Sequence, residues 1–167
     1  GTEINGYITI NYALITPAQE SIWGTGVPTS TKFYLGTDTA TNTSGSTYVG
    51  YVFSEVAGFS KFGEYTGNGN SNGPFVYTGF RPAYVIIKGA IAIDWVIDDT
   101  TRSPFNESNA TLFTNLSNAE YTGGAYGIDF LSNGFKPYNA YSQYNQSGTT
   151  YIYFAFAESP YKNARAR

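Results

Sequence analysis

Residues 3–14 alternate almost perfectly. Ile4, Gly6, Ile8, Ile10, Tyr12 and Leu14 fall on one side, and Glu3, Asn5, Tyr7, Thr9, Asn11 and Ala13 fall on the other. A period of two sustained this long predicts a half-buried strand, longer than the usual five or six residues. Residues 17–31 follow with Pro17, Gly24, Gly26 and Pro28, the content of a linker. A short strand is predicted at 32–35. Residues 47–56 are strand-like on both faces, as expected of a strand inside two layers. Residues 65–73, reading YTGNGNSNG, predict a surface loop with no core. Strands are predicted at 74–78, 83–87 and 91–98, the last two paired through a Lys88-Gly89-Ala90 turn. Phe105, Leu112, Phe113 and Leu116 give residues 103–119 a mildly helical spacing, and one short helix is predicted there. Strands at 127–131 and 134–136 bracket a Ser132-Asn133-Gly134 turn. Residues 149–158, reading TYIYFAFAE after Thr149, are almost continuously apolar and stop before Pro160, so they predict an interior strand with Phe154 in the core.

Short strands separated by turn signals throughout the chain predict an all-β fold, an antiparallel β-sandwich of jelly-roll type with an extended N-terminal strand arm. The expected divisions are an arm over residues 1–16, a linker over 17–31 and a sandwich domain over 32–167. No repeat is evident at a fixed period.

Composition narrows the chemistry. With no Cys and no His, thiol nucleophiles, zinc–thiolate sites, disulfides and imidazole bases are all excluded. Any metal would be a hard cation held by oxygen, and no acidic spacing matches a known loop, so neither metal nor cofactor is expected. The 16 Tyr, 12 Phe and 19 Gly suit strands and turns, not helices. A net charge of −3 with 13% charged residues and no dense basic run argues against nucleic acid as a partner. No run approaches the roughly 18 apolar residues of a membrane-spanning helix, so membrane insertion is not expected. A weakly charged surface rich in Tyr, Thr, Asn and Gly suits an extracellular or virion setting. The absence of Met even at position 1 reads as a processed product or a segment.

From Tyr48 the run YVGYVFSEVAGFSKFGEYTGNGNSNGPFVYTGFRPAYVIIK is followed by DWVIDDTTRSPFN, then IDFLSNGFKP, then TTYIYFAFAESPYKNARAR. These blocks, spread over residues 32–167, resemble a domain found repeatedly near the C-termini of tail-fibre and other structural proteins of aquatic and marine bacteriophages. The resemblance implies a non-enzymatic, β-sandwich module of an extracellular appendage. It carries over no catalytic or binding residue.

Paired acids would be needed for glycan hydrolysis. Asp94 and Asp98 share a strand face by spacing, but Asp98 and Asp99 are read as a strand end paired with Arg102. A calcium site from Asp98, Asp99 and Asn106 lacks a recognised spacing. Ser60 and Lys61, the only adjacent serine–lysine pair in the sequence, point to opposite faces of a strand and make no dyad. Aromatic side chains in loop contexts are candidate glycan contacts: Trp23, Tyr121, Tyr126, Tyr138, Tyr141 and Tyr144. The Asn-x-Ser/Thr pattern occurs at Asn42, Asn106, Asn109, Asn115 and Asn145, which are candidate glycosylation positions.

Read as a whole, the sequence predicts a non-enzymatic structural subunit that assembles with copies of itself. Strand exchange through Ile4, Ile8, Ile10, Tyr12 and Leu14 is the expected contact. The alternative is a receptor- or glycan-binding module of a phage tail fibre, with cell-surface glycan as its partner.

Overall fold

The computed structural model of the chain describes residues 7–8, 15–16, 22, 24, 26, 29–124 and 126–159. These form two compact units, one of residues up to Phe53 and one from Ser54 onward.

In the first unit β1 (Tyr7–Ile8) pairs antiparallel with β2 (Ile15–Thr16), Tyr7 opposite Thr16 and Ile8 opposite Ile15. Part of the expected donor strand is therefore paired within its own chain. Ile4, Ile10, Tyr12 and Leu14 lie outside the described residues. A single turn of helix, α1 (Thr39–Asn42), is capped by Asp38, whose Oδ1 accepts from Ala40 N at 2.8 Å. The strands predicted at 32–35 and 47–56 are absent, and only Val56 bridges, to Ser60. Their apolar alternation is real, but a strand needs a partner as well as a pattern.

The second unit is an antiparallel β-sandwich, as the alternation predicts. Its strands are β3 (Ser60–Thr66), β4 (Val76–Tyr77), β5 (Tyr84–Gly89), β6 (Val96–Asp99), β7 (Leu112–Phe113), β8 (Ile128–Leu131), β9 (Gly134–Pro137) and β10 (Thr150–Phe156), with one helical turn, α2 (Ser142–Asn145). One sheet runs β3-β10-β5-β6-β7 and the other β4-β9-β8. β10 is interior, with seven register pairs to β3 and six to β5. Its Tyr151, Tyr153 and Ala155 face the core, while Ile152, Phe154 and Phe156 occupy the opposite, half-buried face. Phe154 is thus not a core residue. It packs edge-on to Phe62 at 5.5 Å and near Trp95.

Between the sheets, Tyr65 stacks on Tyr151 at 5.0 Å, and Phe135 of the smaller sheet sets its edge against Tyr65 and Tyr153. Val85, Ile87, Val96, Ile128 and Phe130 complete this core. Aromatic pairs of this kind add to the area they bury.

Three further expectations change. The 103–119 helix is absent; that stretch instead makes bridges Ser108–Ile128 and Thr111–Tyr121 and contains β7. Asn106 shows why: its side chain donates to Phe130 O and accepts from Phe130 N, tying the loop to a distant strand. The turn between β5 and β6 is residues 90–95, since Lys88 and Gly89 belong to the strand. The 65–73 loop does reach the interior: Tyr65 is buried, and Asn68 N donates to the Oδ1 of fully buried Asn145 at 2.7 Å.

Candidate functional site

Two loops, β7–β8 and β9–α2, bring tyrosines together where β8 begins and β9 ends. Tyr121 is held by reciprocal backbone bonds with Thr111, just before β7. Tyr126 precedes β8, and Tyr141 opens α2 with its backbone N–H bonded to Asn139 Oδ1. The Tyr126 ring lies 4.4 Å from that of Tyr121 and 4.5 Å from that of Tyr141, in edge-on geometry. Its hydroxyl donates to Tyr141 at 3.3 Å. Tyr138 supports the group from behind, donating to Tyr126 O at 2.6 Å, and Phe113 closes one side at 5.4 Å. Tyr121 and Tyr141 remain 37% and 40% exposed. The result is a partly exposed aromatic surface that carries phenol hydroxyls, the character that suits Tyr to binding faces. Burial, the bond to Tyr141 and the nearby charge of Asp94 hold the Tyr126 phenol well above its usual range. Burial pushes Tyr138 up to about 12. Both are neutral at any physiological pH.

Beneath this surface sits a sealed polar ring. Asp98 turns inward from β6, with Thr111 Oγ1 2.8 Å from Oδ1, Tyr144 OH 2.9 Å from Oδ2, and the two hydroxyls 2.9 Å apart. All three residues are fully buried. Burial raises Asp98 to about 7, against the opposing bonds from Thr111 and Tyr144. The expected Asp98–Arg102 pairing does not form. Alternation along β6 sends Asp99 outward instead, where Arg102 Nε meets its Oδ2 at 2.5 Å. Arg102 also donates to Ala110 O, Ile97 O and Glu120, so it organises the loop that carries Thr111.

Of the six candidate glycan contacts, Tyr121, Tyr126, Tyr138 and Tyr141 converge; Tyr144 is wholly buried, and Trp23 lies outside the described residues. Asp94 precedes β6 and is bonded by Asn115 Nδ2 at 2.7 Å, while Asn115 Oδ1 accepts from Trp95 N. Asp94 therefore does not pair with Asp98. Among the glycosylation candidates Asn145 is fully buried, its Nδ2 within 3.0 Å of Asn68 Oδ1, Asn70 O and Asn139 O, so the folded domain offers it to no transferase. Asn42 and Asn106 are exposed; Asn109 and Asn115 are half-buried. Ser60 accepts from Val56 N and donates to Ser54 O, while Lys61 pairs with Glu55. Among the described residues no three acidic side chains gather as metal ligands. No helix among them is long and apolar enough to cross a membrane. Alternation alone signals that neighbours Asp98 and Asp99 face opposite ways; the ring that Asp98 joins has no local signature.

The chain matches a family model described as a domain of unknown function, DUF7483, over residues 2–160. No curated protein and no solved structure matches it significantly. Since the family match spans almost the whole chain, the protein belongs to the DUF7483 family.

Proposed function

We propose that this chain is a non-enzymatic recognition module of an extracellular or virion appendage, and that Tyr121, Tyr126 and Tyr141 form its glycan-contacting face. The observation that supports this most is the convergence of Tyr121 and Tyr126 of the β7–β8 connection with Tyr141, brought in from beyond β9, into one partly exposed cluster with centroids 4.4 and 4.5 Å apart. Aromatic faces pack on the C–H faces of pyranose rings, and the hydroxyl rims with Asn139 and Ser142 nearby supply orienting polar groups. The resemblance to phage tail-fibre domains agrees with this reading. Glycan-array binding followed by calorimetry tests it. Tyr121→Ala and Tyr141→Ala should each lower affinity at least tenfold with melting temperature little changed, and affinity equal to wild type in both would refute it.

A second reading, a structural subunit that associates with its own copies, draws on a different observation. Eight of the fifteen large apolar side chains exposed among the described residues fall between Phe33 and Phe53. Sedimentation of the purified chain tests that reading.

A further inference from the structure

Residues 42–53, NTSGSTYVGYVF, resemble residues 145–156, NQSGTTYIYFAF, with six of twelve positions identical. The likeness extends to bonding, each pair of atoms at the same offset as Tyr48 to Tyr151. Tyr48 OH accepts from Thr43 N at 2.9 Å and donates to Thr39 O at 2.9 Å; Tyr151 OH accepts from Gln146 N at 2.8 Å and donates to Ser142 O at 2.5 Å. Asn42 Nδ2 donates to Gly36 O as Asn145 Nδ2 donates to Asn139 O. The helical turns α1 and α2 coincide, and the glycines after them, Gly45 and Gly148, take φ of 78° and 74°. Two related segments thus build the same cap. The second cap feeds β10, an interior strand. The first feeds residues 47–53, which belong to no described strand, and Tyr48, Val49, Tyr51 and Val52 are 44%, 78%, 83% and 75% exposed.

We infer that residues 47–53 are a second β10-type strand that pairs antiparallel with the same residues of a second copy of this chain, about a two-fold axis at Gly50. This rests on the self-association reading and is independent of the tyrosine cluster. The register is favourable because it sets Tyr48 opposite Val52 and Val49 opposite Tyr51, aromatic against β-branched on both faces. No charge lies in residues 46–53, so identical strands do not repel. The four side chains expose on the order of 600 Å² of mostly apolar surface over the two faces of the strand, short of the roughly 800 Å² per partner of a standard interface but at the upper end of what monomers leave open. A two-fold contact is self-complementary and closes.

The chain has no Cys, and a Cβ at Gly50 would meet nothing within 4 Å, so Gly50→Cys introduces a single tolerated thiol. Mild oxidation should convert most of this variant to a disulfide-linked dimer, while Ser71→Cys in an exposed loop should not cross-link. The Val49→Asp/Tyr51→Asp double variant should sediment as a monomer with the melting profile of its sandwich unchanged. If wild type is oligomeric but the double variant keeps the same mass and Gly50→Cys does not cross-link, this surface is wrong while self-association stands. If wild type is monomeric throughout the micromolar range, both fall.

Discussion

Asp98→Asn tests the buried ring most directly. Three oxygen–oxygen contacts of 2.8–2.9 Å join Asp98, Thr111 and Tyr144, but two hydroxyls supply only two hydrogens. The third contact is bonded when Asp98 is protonated, which agrees with a carboxyl raised by burial to about 7. The charges that act on it are Arg102, which lowers it, and Asp99, which raises it. In the unfolded chain the same group titrates near about 3.9. Between those values the native state holds a proton that the unfolded state has released, so stability falls as pH rises from about 4 to about 7 and is level on either side. At about 1.4 kcal/mol per pH unit the whole loss is about 4 kcal/mol, of which about 3 kcal/mol falls between pH 5 and pH 8. Asn keeps the shape, offers an amide donor and an oxygen acceptor, and cannot ionise. Thermal melts of both proteins at pH 5, 6, 7 and 8 should therefore diverge. The wild type should lose roughly 6–12 °C relative to the variant over that range, at about 2–4 °C per kcal/mol for a chain of this size. Parallel profiles, or a side-chain carboxyl NMR titration of Asp98 with a midpoint near 4, would refute the ring as a neutral-acid site.

Ala155→Asp should abolish soluble expression, because Ala155 is fully buried and an unpaired carboxylate there costs several kcal/mol of the 5–15 a domain has. Phe154→Asp, one residue away on the half-buried face, should fold with a lowered melting temperature; expression trials and melts distinguish the two. Gly127→Ala should destabilise by at least about 2 kcal/mol in urea titration, since φ is +136° and a Cβ would sit 1.9 Å from Ser108 O, inside the Ser108–Ile128 bridge. EDTA should leave the melting temperature unchanged within error, and a drop of several degrees would instead establish a structural cation.

The all-β class, the interior position of β10 and the β8–β9 hairpin around Ser132 and Asn133 follow from the sequence by itself. Each depends on local pattern: a nearly continuous apolar run stopped by a proline, or alternation broken by turn residues. Residues 47–53 show where local pattern stops. They share Thr, Tyr and Phe at matching positions and the same cap with β10, yet only β10 is a strand, because a strand is completed by neighbours far away in the chain and β10 has β3 and β5. Composition could nominate the loop tyrosines but not sort them. Tyr141 and Tyr144 lie three residues apart, but Tyr141 is the extended N-cap of α2 and stays partly exposed, whereas Tyr144, within the turn, reaches Asp98. Adjacent Asp98 and Asp99 are likewise alike in sequence. Tertiary structure alone made one a buried acid bonded to two hydroxyls and the other the partner of Arg102, because which face of β6 is covered depends on the second sheet and not on the residues beside them.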